Sequence, residues 1–191
     1  NHYSRIIIPD IPVNSDADFL NLVRSIQDNT LQAADVLKSC EMQYLVMGMS
    51  AATFWDGRAG AHKYLAMMRE RAGVEVSCGS FATEAALNVY KAKRIAFVSP
   101  YFPVANAEVS RFYSDCGFTV VRDVCLRRPS PVQIAHTTDA MCRTAIRQLD
   151  GGPVPAGLTF IELRAAELMI HPGLALHAML HRADLTAARC L

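Results

Sequence analysis

No stretch of about 18 or more apolar residues occurs, so nothing in the sequence crosses a bilayer as a helix. Charge of one sign is not in excess: 19 Lys and Arg face 18 Asp and Glu, a formal net charge of +1. That balance argues against a general nucleic-acid binder or an anionic-membrane binder, which need a basic surplus. Phosphate loops, Gly-x-Gly-x-x-Gly fingerprints and Gly-x-Ser-x-Gly elbows are missing. The usual sequence support for a nucleotide site or a serine-hydrolase site is therefore absent. Cysteines are scattered, at 40, 78, 116, 125, 142 and 190, with no Cys-x-x-Cys pair. Reduced thiols in a cytosol are the simplest reading, and the expected localisation is cytoplasmic. The first residues, Asn1-His2-Tyr3-Ser4-Arg5, carry neither a Met nor a hydrophobic leader core. The expectation is a fragment or processed product without a secretory signal.

What is present is ample apolar material. With 191 residues, 51% of them apolar, the chain is long enough for one domain, or two small ones sharing an interface, and needs no staple. Ser4 to Ile8 is a short β-branched run closed by Pro9, a strand signal. Asn14-Ser15-Asp16 offers helix caps, and Phe19, Leu22, Val23, Ile26, Leu31, Ala34 and Leu37 recur at helical spacing up to about Lys38. Gln43 to Gly48 reads as a buried strand, Asp56-Gly57 opens a helix to about Arg71, Val74 to Ser77 is a short strand, and Ser80 to Tyr90 is a helix. Arg94 to Ser99 is the clearest buried strand. Val104 to Asp115 is amphipathic and stops at Cys116-Gly117; Phe118 to Cys125 is another strand. Ser130-Pro131 is a cap followed by Pro in the first turn, opening a helix to about Leu149. The one compositional break is Gly151-Gly152-Pro153-Val154-Pro155.

Alternating strands and helices with short connections predict an α/β fold: parallel strands with helices on both faces. In such sheets ligands bind outside the carboxyl ends of the strands. Attention therefore falls on Gly48 to Phe54, Cys78 to Ser80 and Ser99 to Phe102. Gly48, Met49 and Ser50 follow a buried strand, where backbone N–H groups and the Ser50 and Thr53 hydroxyls could bind a carboxylate. The plainer alternative is a strand-to-helix turn whose hydroxyls cap the helix. Tyr101 follows the best strand and could donate to a substrate oxygen; alternatively it packs in a Pro-rich loop. Cys78 precedes a helix start, where the dipole would lower its pKa, or it is a small buried apolar residue. Cys116, Cys125 and Cys142 fall within elements and read as structural. His177 and His181 share an i, i+4 face near His171, but only Asp184 offers a carboxylate nearby, so no metal site is expected.

These residues carry a resemblance. Val46-Met47-Gly48-Met49-Ser50-Ala51-Ala52-Thr53-Phe54-Trp55-Asp56-Gly57 resembles the first catalytic loop of the maleate cis-trans isomerase and arylmalonate decarboxylase group, in the aspartate/glutamate racemase superfamily. Lys93 to Tyr101 resembles the family strand ending in Thr-Pro-Tyr. Phe112 to Val120 and Ser130 to Ala135 resemble the segments that follow, so the match covers about residues 5 to 150. The resemblance implies two pseudo-symmetric parallel-sheet halves, here 1–92 and 93–191, with the active site in the cleft between them. It implies a small carboxylate as substrate and no metal or organic cofactor. Family chemistry relies on polar donors that stabilise charge growing on a carboxylate, and on thiols that move a proton or attack carbon.

Carried over residue by residue, Gly48, Met49 and Ser50 match the first cysteine loop, with Met49 near the place of the thiol. Tyr101 matches the substrate-binding tyrosine, and Ser80 falls near a family Ser/Thr. Two departures stand out. The chain begins after the family's first strand and polar loop, leaving the first half without its first strand. The second catalytic loop, expected shortly after Asp150, is replaced by Pro153 to Phe160, a poor strand without a cysteine, with Gly157 to Phe160 as a degenerate version of the loop. Leu174 to Leu180 stands where a last strand would be, and such a tail suggests a deletion or a shifted reading frame. Two functions follow: a cofactor-free isomerase or decarboxylase acting on a small (di)carboxylate, with Cys78 as the available thiol, or a carboxylate-binding domain that has lost cysteine chemistry. An exposed strand edge would also make the chain poorly soluble.

Overall fold

The computed structural model describes residues 2–149 and 158–162. Among them α1 (Asp16–Lys38) comes first, then β1 (Tyr44–Met47), a 3-10 turn (Ala51–Thr53), α2 (Gly57–Ala72), β2 (Glu75–Cys78) and α3 (Gly79–Val89). There follow β3 (Arg94–Ser99), α4 (Pro103–Asp115), β4 (Thr119–Cys125), α5 (Pro131–Ala135), α6 (Asp139–Leu149) and β5 (Leu158–Glu162). The α/β class is as the alternation predicts.

Local chemistry sets the boundaries. Ser15 caps α1: its Oγ accepts from Asp18 N at 3.2 Å, and Asp18 Oδ2 accepts from Asn14 N at 3.0 Å. That reciprocal pair fixes the helix start, and the Asn14 N–H followed by the Ser15 hydroxyl holds the Asp18 carboxyl below its ordinary pKa. The buried stripe Phe19, Leu22, Val23, Ile26, Thr30, Ala33 and Ala34 follows helical spacing and turns one face inward.

All strands pair in parallel, in two small sheets: β1 with β2, and β4-β3-β5 with β3 central. β3 shows why a continuous apolar run means burial on both faces. Ile95 and Phe97 join the main core, whereas Ala96 and Val98 pack with Ala145 and Ile146 of α6. Helices α2 and α4 pack on each other, and α1 packs on both. One buried cluster consequently joins Leu45 and Val76 of the first sheet to Ile95 and Phe97 of the second. The chain leaves β3 through α4 to reach β4 on one side, then returns through α5 and α6 to β5 on the other. The carboxyl end of β3, at Ser99, is therefore a topological switch point.

Three expectations change. Ser4 to Ile8 is not a strand. Its residues alternate between half-buried (Ser4, Ile6, Ile8) and exposed (Arg5, Ile7), as a strand would, but they pair with no strand among the described residues. Ile6 and Ile8 pack on the core, and the following segment is tied to the loop between β4 and α5 by Val13 N to Pro129 O at 2.8 Å. The helix expected from Ser130 to Leu149 is two helices. Thr137 Oγ1 donates to Ile134 O at 2.8 Å and closes α5, while Thr138 Oγ1 accepts from Met141 N at 3.3 Å and caps α6. Finally, Leu158 to Phe160 belongs to strand β5 rather than to a catalytic loop. Its β-branched and aromatic composition meets the open edge of β3, which outweighs the prolines just upstream. Gly157, the Leu174 to Leu180 run, and His171, His177 and His181 lie outside the described residues.

Candidate functional site

β1 and β3 end in turns that meet. Ser50 and Tyr101, 51 positions apart, share a hydrogen bond of 2.8 Å between Oγ and Oη. Each is 1% exposed, so the pair is sealed within the protein rather than open to a hollow. The capping alternative is divided between two hydroxyls. Thr53 Oγ1 donates to Ser50 O at 2.7 Å and serves the 3-10 turn. The Ser50 hydroxyl makes no capping bond and is turned to Tyr101 instead.

The Tyr101 turn is fixed from several directions. Its N–H donates to Ser99 Oγ at 3.2 Å. The chain after β4 zips onto it: Leu126 N to Ser99 O at 2.9 Å, Arg128 N to Pro100 O at 3.0 Å, and Arg127 N to Tyr101 O at 3.0 Å. The ring rests against Phe19, centroids 5.5 Å apart. A phenol so held has little rotational freedom left to lose when it binds a partner.

The remaining expected residues are distributed around this pair. Gly48 is exposed, with open space where a side chain would be, and Met49 is half-buried against the core. Cys78 pairs with Met47 in the β1–β2 register, which brings β2 to the same rim as the Gly48 turn. Its thiol is 2% exposed and shares a 3.2 Å contact with the Ser80 hydroxyl, itself fully buried. The Ser80 hydroxyl is thus engaged with the Cys78 thiol. A cleft of about 430 Å³ opens between α2 and α3, lined by His62, Leu65, Cys78, Phe81 and Val89 among others, but not by Ser50 or Tyr101.

Charge elsewhere is already committed. The amino end of α2 is occupied by carboxylates of α4: Asp56 N donates to Glu108 Oε2 at 2.9 Å and Arg58 N to Asp115 Oδ2 at 3.0 Å. It is consequently not an anion site. Gly57 has φ +65°, and a Cβ there would lie 2.2 Å from Asp115 Oδ2, so only glycine permits this approach. Cys116 is half-buried beside the Arg58–Glu84 ion pair. Burial, then the Glu84 carboxylate, pushes its thiol up to about 12, which leaves it protonated and unreactive at neutral pH. Burial likewise raises the phenols of Tyr64 and Tyr113. Cys40, Cys78, Cys116, Cys125 and Cys142 are all free thiols. No cluster of three or more metal-ligating side chains occurs among the described residues. No helix among them is long and apolar enough to cross a membrane.

Sequence reasoning singled out Ser99 as a strand end but missed Asn106 and Asp123, which join it in a chain of hydrogen bonds that runs from the buried Tyr101 turn to the exposed face of β4. A signal existed: Asn106 falls on the apolar stripe of α4 with Ala105, Val109, Phe112 and Tyr113. A polar residue on such a stripe needs a partner.

No protein-family model matches the chain, and no curated protein matches it. Solved structures do. A maleate cis-trans isomerase from Nocardia farcinica, bound to TRIS, is similar with a TM-score of 0.68 at 15% identity, over 82% of this chain and 73% of that one. The maleate isomerase Iso from Pseudomonas putida S16 has a TM-score of 0.68 at 12% identity, over 90% of this chain and 77% of that one. Unliganded arylmalonate decarboxylase has a TM-score of 0.63 at 15% identity, over 80% and 76%. At such identities the likeness is one of fold, and the fold is that of these isomerases and decarboxylases.

Proposed function

We propose that the chain is an isomerase- or decarboxylase-like domain that acts on a small (di)carboxylate without a cofactor. The observation that carries the reading is the 2.8 Å hydroxyl pair of Ser50 and Tyr101 at the carboxyl ends of β1 and β3. The fold shared with maleate isomerases and arylmalonate decarboxylases gives it direction. In this reading the segments 1–92 and 93–191 are the two halves, and the hydroxyl pair parts to admit a carboxylate. Ser50 and Tyr101 then donate to its oxygens, with the Gly48 and Met49 N–H groups and Ser80 as further donors. Negative charge that grows on those oxygens, as an adjacent carbon becomes enediolate-like, strengthens each bond in the transition state.

Thiol chemistry is the weak link. Met49 stands at the first thiol position, and a thioether transfers no proton. Cys78 is buried and bonded to Ser80. These observations favour a second reading, in which the domain binds carboxylates without turnover. Incubation with maleate, and separately with an arylmalonate and an alkylmalonate, followed by NMR, tests both. Product formation that is lost in Tyr101→Phe supports catalysis, and its survival in Cys78→Ala removes Cys78 from the reaction. No product, together with a melting temperature that rises with maleate, supports binding alone. Neither product nor stabilisation refutes both readings.

A further inference from the structure

We propose that Asn106 is a positioning residue: with Asp123 and Ser99 it sets the orientation of the Tyr101 turn. The inference rests on the proposed carboxylate site only for what Tyr101 is used for, not for how it is held.

The chain of bonds has one consistent direction. The Asp123 carboxylate accepts from Asn106 Nδ2 at 2.6 Å. This decides which end of the Asn106 amide points where, because a carboxylate accepts only from the NH₂ end. Asn106 Oδ1 is thereby aimed at Ser99 and accepts its hydroxyl proton. With its single proton so used, Ser99 Oγ presents a lone pair to the Tyr101 N–H, at 3.2 Å. Ser99 is 0% and Asn106 3% exposed, so water does not compete for the two bonds that Ser99 makes. Asp123, by contrast, is exposed on β4 opposite Phe97, which lets it be altered without opening the core.

The consequence concerns the phenol. Tyr101 is two residues beyond Ser99, with Pro100 between them restricting the backbone. Fixing Ser99 Oγ against the Tyr101 amide therefore fixes where the side chain leaves the chain, and so where Oη meets Ser50. Three elements (β3, α4 and β4) are locked together at the switch point by this one amide.

The experiment uses protein labelled with carbon-13 at tyrosine Cζ, with the Tyr101 signal assigned by its loss in Tyr101→Phe. In Asp123→Ala and in Asn106→Ala the Tyr101 signal is expected to move, while those of Tyr64 and Tyr113 stay in place. Asp123→Asn, whose amide oxygen can still accept from Asn106 Nδ2, and the exchanged pair Asn106→Asp with Asp123→Asn, which reverses that one bond, are both expected to keep the Tyr101 signal near its wild-type position. An unmoved Tyr101 signal in Asp123→Ala overturns the proposal, as does a shift shared equally by Tyr64 and Tyr113. Should Asn106→Ala fail to fold, Asp123→Ala, at an exposed position, decides alone. Where the wild type turns over a carboxylate, kcat is expected to fall about 10- to 100-fold in Asp123→Ala and to be retained in the exchanged pair. A wild type without turnover counts against the functional reading, whereas the tyrosine signals still decide the positioning.

Discussion

The bond between Ser50 and Tyr101 joins the two sheets, and its strength can be measured by a double-mutant cycle. The perturbations are Ser50→Ala, Tyr101→Phe and the two combined. Both groups are 1% exposed and 2.8 Å apart, so water supplies no substitute when one hydroxyl is removed. A neutral hydrogen bond of this kind contributes a net ~1 kcal/mol, and deleting one member costs about 1–3 kcal/mol through the desolvated group left behind. Sites that do not interact add to within roughly 0.3–0.5 kcal/mol, so a coupling of ~1 kcal/mol is resolvable. For a chain of this length each 1 kcal/mol lowers the melting temperature by about 2–4 °C. Urea unfolding of the four proteins gives the coupling directly, with a common m-value as the check that the unfolded states are alike. A double mutant whose loss equals the sum of the singles to within about 0.3 kcal/mol refutes the claim that the two turns converge.

Other outcomes follow from the same packing. Phe112 is fully buried with ring contacts to Phe54, Phe81 and Tyr113 at 5.4, 5.5 and 5.3 Å, so Phe112→Ala should cost about 3–5 kcal/mol in chemical denaturation. Gly57→Ala forces a Cβ against Asp115 at positive φ and should cost about 1–3 kcal/mol, whereas Gly73→Ala, with open space at φ +73°, should lose only the conformational part. Cys116 should resist iodoacetamide at pH 8, as read by mass spectrometry, and Glu84→Gln should speed its alkylation by removing a carboxylate that raises its pKa. Its folded pKa exceeds the ordinary 9.0, so its contribution to stability is present below about pH 9 and is lost as pH rises towards about 12; urea midpoints that climb over that window would contradict the assignment. β1 pairs with β2 alone among the described residues, and that open edge predicts concentration-dependent association; a monodisperse profile by light scattering at high concentration would count against it.

The sequence by itself settled what depends on neighbours along the chain. The Ser15 cap and the apolar spacing behind it define α1, the apolar run within Arg94 to Ser99 defines β3, and the alternation of the two element types defines an α/β fold. Each of these is a local preference reinforced by a period. It also pointed to Ser50 and Tyr101, because residues after buried parallel strands gather at one rim. What it could not decide was anything set by a partner distant in sequence. Ser4 to Ile8 has strand composition but joins no strand ladder among the described residues, and Leu158 to Glu162 becomes a strand because β3 has a free edge to offer. The break at Thr137-Thr138 turns on side-chain hydroxyls choosing backbone partners. Asn106, silent as one polar letter in a helix, gains its place only when α4 lies across β3 and β4 and brings Ser99 and Asp123 within bonding distance. A hydrogen bond needs two groups in register in space, and only packing supplies that register.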